Sequence, residues 1–350
     1  MHRLGFQIRC ILFASMRQTQ TIGLSFSSGK KYLALFFKIL ISISALVFIF
    51  YKLKQEETSW TAWFAEMGAY HAAFALLAFV LIPLNWGLEA WKWKYALRQL
   101  YPDYSFREAC KGVIAGVTTG IFTPNRIGDY AGRLLYLKKG KRWEAGVVLL
   151  LNRLTQMLIT LWVGCYCFVY VLLYEAESLQ KLIPSLGIEH EVLVCILISV
   201  SILFSLLLIF SSKLTLHKWL PGKWKKGQKV LMNGLTSLSP RDILMMSLIG
   251  GVRFCVYSLQ YAFLMLAFGF SGNPFLAFLL IGLVFLIKSL LPYFSFTELG
   301  LRESVALFVM GIWQVSALTA LSSTFVLYLF NLILPALLGI LLIQLKSSID

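Results

Sequence analysis

Val192–Phe210 reads VLVCILISVSILFSLLLIF, nineteen residues without a charge. A helix of this length and character matches the roughly 20 apolar residues needed to cross the hydrocarbon of a bilayer. Runs of comparable kind recur at Tyr32–Tyr51, residues 70–91, Trp143–Tyr174, Ile243–Phe268 and Val315–Ile343. Composition agrees: 59% of the 350 residues are hydrophobic and 14% charged, whereas soluble domains are nearer half apolar and about a quarter charged. The expected fold class is therefore an all-α polytopic membrane protein with about six full spans. No polar stretch is long enough for a separate soluble domain. The chain reads as one transmembrane domain over 30–350, preceded by a disordered leader over 1–29.

The charges set the topology. Net charge is +16, and the basic residues cluster between spans. Lys92–Lys111 carries five basic residues against two acids, Arg126–Glu144 six against two, and Ser211–Asp242 seven against one, while Glu175–Glu191 has four glutamates and one lysine. Lysine and arginine collect on the cytoplasmic side, so the first three loops and both termini are expected there, in the inner (plasma) membrane. A nucleic-acid role would need a basic face on a soluble module, and none is present. The six cysteines show no metal-ligand spacing and the four histidines are scattered, so no metal and no cofactor is expected.

Two segments break this pattern. Residues 112–124 are apolar and glycine-rich, with Gly112, Gly116 and Gly120 four apart. Thirteen residues make roughly 20 Å of helix, against about 30 Å of hydrocarbon. The loops on both sides are basic, so the segment is expected to dip in and return as a re-entrant hairpin. It ends in Thr123-Pro124-Asn125-Arg126-Ile127-Gly128-Asp129, with Arg133 following. The second break lies in 275–312, where Pro292 stops an apolar run and Thr297-Glu298-Leu299-Gly300-Leu301-Arg302-Glu303 leads into another short one. Each pairs a glycine with an acid–arginine set, and they are expected to enter from opposite faces. Paired interrupted helices in inverted halves point to a transporter's binding site. The halves would be 70–174 and 243–343; the alternative is coincidence in a glycine-rich membrane chain.

At these residues the chain resembles the lysylphosphatidylglycerol synthase transmembrane region, also described as flippase-like integral membrane proteins. Thr123, Pro124, Arg126, Gly128, Asp129 and Arg133 match the first signature of that family in full. In the second, Leu299, Gly300, Arg302 and Glu303 match, while Thr297 and Glu298 stand where two glycines are usual. Asn152-Arg153 occupies the place of an acid–arginine pair, and Ile333–Gly339 is similar to the last helix of the family. The resemblance covers about 35–345. It implies a membrane domain that moves aminoacylated phospholipid between leaflets in its best-known relatives. Those relatives carry a cytosolic aminoacyl-transferring domain after the membrane region. This sequence ends at Asp350, so no aminoacyl-lipid synthesis is expected of it.

Carrying a phosphate through hydrocarbon needs buried cations with compensating carboxylates, and arginine binds phosphate bidentately. The candidate headgroup residues are Arg126, Asp129, Arg133, Arg153, Arg302, Glu303 and Glu298. Thr123, Pro124, Gly128 and Gly300 are assigned to the backbone of the breaks. Asp129 lies three residues from Arg126 and four from Arg133, so on a helix the three share a face. The competing reading is internal ion pairing that locks the hairpins. Arg253 is read as a snorkelling side chain or a site residue, and Glu89 as interfacial beside Trp86, Trp91 and Trp93. No catalytic constellation is found. The expected function is a lipid translocase with membrane lipids as partners; a membrane enzyme on lipid-linked substrates, or an accessory subunit, are the alternatives. A homo-oligomer or a membrane partner is left open.

Overall fold

The computed structural model describes residues 68–121, 123, 126–138, 140–175, 190–209, 225–291 and 298–347. The expected leader, the span at Tyr32–Tyr51, Pro124 and both chain ends lie outside these residues. The described residues are helical, with no strand among them. The helices are α1 (Ala69–Leu97), α2 (Phe106–Ile121), α3 (Gly128–Leu135), α4 (Arg142–Tyr170), α5 (His190–Ile209), α6 (Lys225–Thr236), α7 (Pro240–Ala267), α8 (Pro274–Leu290), α9 (Glu298–Ile312), α10 (Ala317–Tyr328) and α11 (Leu334–Ser347).

Four stretches are long and apolar enough to cross a bilayer: Ala69–Leu97, Arg142–Tyr174, Pro240–Ala267 and Ala317–Leu341. The expected span at Val192–Phe210 falls on α5, and α8 is apolar but shorter. Leu76, Phe79, Val80 and Leu84 on α1, Leu244, Leu248 and Val252 on α7, and Leu337, Leu338 and Leu341 on α11 are all exposed. Apolar surface of this extent has no place in water and fits lipid.

The helix ends follow local chemistry. Ser239 and Asp242 form a reciprocal capping box at the start of α7, with Pro240 in its first turn. Ser105 and Glu108 do the same for α2, the Ser105 N–H donating to Glu108 Oε2 at 2.8 Å. Each device satisfies otherwise orphaned N–H groups. Between α10 and α11 the helix widens into a π-turn, Leu329–Ile333. Pro335 follows it; a proline has no N–H, and its ring crowds the carbonyl four residues back, here that of Asn331.

Apart from α5 and α6, the described helices fall into two runs of similar plan: a long helix, a broken pair, then a long helix. The first is α1, α2–α3, α4; the second is α7, α8–α9, α10–α11. The packing between the runs is reciprocal, with α1 on α7, α8 on α4, and α11 on α2. The α1–α7 contact is antiparallel and tied along its length. Arg98 pairs with Asp242 at one end, Glu89 with Arg253 in the middle, and Gln260 donates to the Ala78 carbonyl at 2.9 Å towards the other end.

Two boundaries differ from expectation. The second span runs to Leu97 instead of residue 91, because Lys92 and Trp93 are buried in the interior. Trp93 is therefore no part of an interfacial belt, while Trp91 is exposed. The first limb of the broken pair starts at Phe106, six residues before Gly112.

Candidate functional site

The first break is built from backbone outward. Thr119 Oγ1 donates to the Gly128 carbonyl at 2.6 Å, and the Gly128 N–H donates to Thr123 Oγ1 at 2.6 Å. The Arg126 N–H donates to the Thr123 carbonyl at 3.1 Å. These bonds fold the chain back after Ile121 and start α3 antiparallel to α2. Arg126 is left with φ of 56°, a left-handed conformation that costs a non-glycine residue on the order of 1–3 kcal/mol and is kept where the surroundings demand it.

Small residues let the two limbs touch. A methyl group on Gly128 would lie 2.7 Å from the Thr119 carbonyl carbon, and one on Gly132 would lie 2.7 Å from that of Ala115. On α2, a Cβ at Gly116 would strike the Asp129 carboxylate and lie 2.9 Å from Arg133 Cγ, and one at Gly120 would lie 3.3 Å from Asp129 Cβ. The four-residue glycine spacing thus makes a face on which α3 lies, at the level of its acid and its arginine. On the other side of α2, Thr118 Oγ1 reaches the Ala336 carbonyl of α11 at 3.2 Å.

The charged side chains form one network. Asp129 accepts from Arg133 Nε at 3.1 Å through Oδ1 and from Arg153 through Oδ2. Glu89 accepts from Arg133 Nη2 at 2.7 Å through Oε1, and its Oε2 forms an ion pair with Arg253 Nη1 at 3.2 Å. Every carboxylate oxygen of these two residues faces a guanidinium. Arg133 is 1% exposed yet charged, a placement tolerated only with this pairing. Lys92, one turn from Glu89, is also buried and donates to the Asn152 carbonyl at 3.0 Å. Gly250 gives it room: a Cβ there would sit 3.3 Å from Lys92 Nζ.

The network opens on a cavity of about 80 Å³ lined by Trp86, Glu89, Val117, Arg126, Arg133, Arg153, Arg253, Tyr257, Arg302, Asn331 and Leu332. Both runs of helices contribute. Arg126 comes from the first break, and Arg302 from the first turns of α9 after the second; Arg302 is buried and lies 5.1 Å from the Tyr328 ring. Asn331, turned in by the π-turn, accepts from Asn85 at 2.6 Å and donates to Gln260 at 2.8 Å. That amide chain ties α1, α7 and the π-turn together behind the cavity. Arg126 Nε, Arg133 Nη1 and Arg253 Nε are buried and have no acceptor among the described residues.

Among the sequence candidates, Arg126, Arg133, Arg153 and Arg302 meet at this cavity, with Asp129 directly behind them. Glu303 is buried next to Arg302 but does not line it. Gly300 lies in the first turn of α9, where its carbonyl accepts from Ser304 Oγ at 2.8 Å. Pro124 and the Glu298 side chain lie outside the described residues. Of the partners from the long helices, sequence reading takes Glu89 as interfacial and leaves Arg253 between a snorkelling side chain and a site residue. Glu89 is not interfacial but 3% exposed, and Arg253 faces the cavity instead of snorkelling. The Glu89–Lys92 spacing, one turn apart after an apolar run, was the available signal; the neighbouring tryptophans disguised it. No group of metal-ligating side chains occurs among the described residues.

Residues 35–339 match the family described as lysylphosphatidylglycerol synthase TM region. That covers most of the chain, and the chain belongs to this family. Among curated proteins none matches it. Family and apolar helices together make it a multi-pass membrane protein related to membrane lipids.

Proposed function

We propose that this member of the lysylphosphatidylglycerol synthase TM region family is a lipid translocase that moves a phospholipid or a lipid-linked headgroup between leaflets. The headgroup would occupy the arginine-lined cavity while its acyl chains stay in lipid. One observation carries this reading: two broken helix pairs from the two halves of the chain each send an arginine, Arg126 and Arg302, into one cavity that keeps buried N–H donors to spare. Charge placed among apolar spans is costly and marks a pathway or a site. The antiparallel α1–α7 contact and the reciprocal packing of the two runs are what an inverted repeat would give, with each broken pair re-entering from its own face. Alternating access would then proceed by rocking one half against the other around the fixed cluster. The enzyme alternative is weakened by the carboxylates: Asp129 and Glu89 are each held by two guanidinium groups and are poorly placed to take a proton.

The reading is tested in proteoliposomes with fluorescent phospholipids and a reducing quencher confined to the outside. The wild-type protein is expected to expose inner-leaflet label to the quencher in a headgroup-selective way. Arg126→Gln is expected to slow that exchange about tenfold or more, since a hydrogen bond to a charged group contributes roughly 1.5–3 kcal/mol. Exchange no faster than in protein-free vesicles, with a partner protein co-purifying, would replace the translocase by an accessory subunit.

A further inference from the structure

The cavity has one apolar wall. Trp86, Val117 and Leu332 line it from α1, α2 and the π-turn, and they pack into one cluster with Tyr328 and Ala336. The rest of the lining is guanidinium, carboxylate, phenol and amide. A lipid whose headgroup sits in the cavity must take its acyl chains past some wall, and apolar chains favour the apolar one. The same stretches of helix turn apolar side chains outward. Leu84 is exposed beside Trp86, and Leu334, Leu337 and Leu338 are exposed just after Leu332.

This wall is a seam between the two runs of helices, and each side of it is interrupted. In α1, Pro83 lacks the N–H that would meet the Phe79 carbonyl one turn back. Opposite, the helix loosens into the π-turn Leu329–Ile333, with Pro335 behind it. The two interruptions face each other. The Phe79 ring meets that of Phe330 edge to face at 5.6 Å, and Asn85 donates to Asn331 at 2.6 Å. Prolines and π-turns are where helices bend, and π-turns gather at functional sites. Two polar atoms on the α1 side also lack partners among the described residues: Trp86 Nε1 has no acceptor and Asn85 Oδ1 no donor, although both are buried. Buried polar groups are nearly always paired. A headgroup crossing the seam would offer oxygens to the indole N–H and, from any hydroxyl, a proton to the amide oxygen.

We propose that the seam between α1 and the π-turn is a lateral gate for lipid. The headgroup enters between Trp86 and Leu332, and the acyl chains stay in the opened seam against Leu84 of α1 and Leu337 of α11. This rests on the cavity being the headgroup site proposed above, and adds the route by which a membrane lipid reaches it. In the closed gate Val117 and Leu332 are 2% and 5% exposed. Rocking one run of helices against the other would part it, because α1 belongs to the first run and the π-turn to the second.

The test uses the full chain in nanodiscs of phosphatidylglycerol, phosphatidylethanolamine and phosphatidate, each with a diazirine halfway along one acyl chain. After irradiation, labelled residues are mapped by mass spectrometry in the wild type, Arg126→Gln and Arg302→Gln. Lipid resting against the outer surface should label exposed Leu248 and Val252 of α7 alike in all three proteins. Lipid held by its headgroup is expected to label Leu84 and Leu337 at the rim of the seam and Leu332 within it. That labelling should fall about tenfold or more in either variant, the usual effect of losing a hydrogen bond to a charged group. Labelling that depends on the arginines but falls on another face, at Met157 or Trp162 of α4, would overturn the gate and leave the headgroup site standing. Labelling that neither variant changes at any residue would remove the headgroup site, and the gate with it.

Discussion

Glu89→Ala is expected to destabilise the protein by about 3–5 kcal/mol, the usual cost of removing one partner from a buried ion pair. Glu89 holds Arg133 at 2.7 Å and Arg253 at 3.2 Å, and its side chain is 4% exposed. Without it, two guanidinium groups from different helices face each other across a site already rich in positive charge. Arg133 keeps Asp129, but Asp129 is shared with Arg153. Arg253 has no other ion pair among the described residues. The loss should therefore fall mainly on the α1–α7 contact, and Arg253→Met added to Glu89→Ala should recover part of it, because paired removal is milder than single removal. Thermal melting of the purified protein in detergent measures both. A Glu89→Ala melting temperature equal to that of the wild type would mean that the carboxylate faces water and that the network is a surface feature.

Gly132→Ala is expected to be nearly as damaging for a different reason. The added methyl would lie 2.5 Å from the Ala115 carbonyl oxygen and 2.7 Å from its carbon. Backbone cannot rotate aside as a side-chain tip can, so α3 must lift from α2 and carry Asp129 and Arg133 with it. Overpacking typically costs about 1–3 kcal/mol and more where nothing yields; separation of the ion pairs adds to it here. Gly146→Ala is the matched comparison. That glycine is also inside a helix, but its nearest neighbour would be Leu134 Cδ1 at 3.8 Å. It should be neutral or gain up to about 1 kcal/mol from helix propensity. The yield of monodisperse protein and its melting temperature separate the two substitutions. Equal behaviour would mean that the close approach of α2 and α3 does not hold the site.

The parts of this site that could be read in the sequence are those written in local spacing. Asp129 and Arg133 sit one turn apart on α3, so their pairing follows from helix geometry alone; Arg126, expected on the same helix face, lies ahead of α3 in a left-handed turn and reaches the cavity from the break. The glycine spacing at Gly112, Gly116 and Gly120 announces a close contact, although not that its partner is the very helix that follows. Four of the long apolar stretches stand where hydropathy places them. What sequence could not give is the contribution of distant helices. Nothing local says that Glu89 will meet Arg253, 164 positions later in the chain, or that Lys92 will be buried instead of reaching an interface. Hydropathy treats a charge near the end of an apolar run as the edge of the membrane, and tryptophans strengthen that impression. Only the antiparallel packing of α1 on α7 turns those residues inward. Asn331 was hidden in the same way, since a lone amide in an apolar run gains meaning from the π-turn before Pro335 and from Asn85 and Gln260 across it.

The central claim is that the two broken pairs serve one cavity, and leaflet exchange in proteoliposomes can measure whether Arg126 and Arg302 act on the same headgroup. Arg126→Gln, Arg302→Gln and the double variant are compared with the wild type under identical lipid composition. The account predicts that each single change slows exchange by about tenfold or more and that the double variant is scarcely slower than the worse single, because residues that share one ligand do not act additively. Two effects that multiply as independent factors, or single variants that exchange lipid at the wild-type rate, would contradict it.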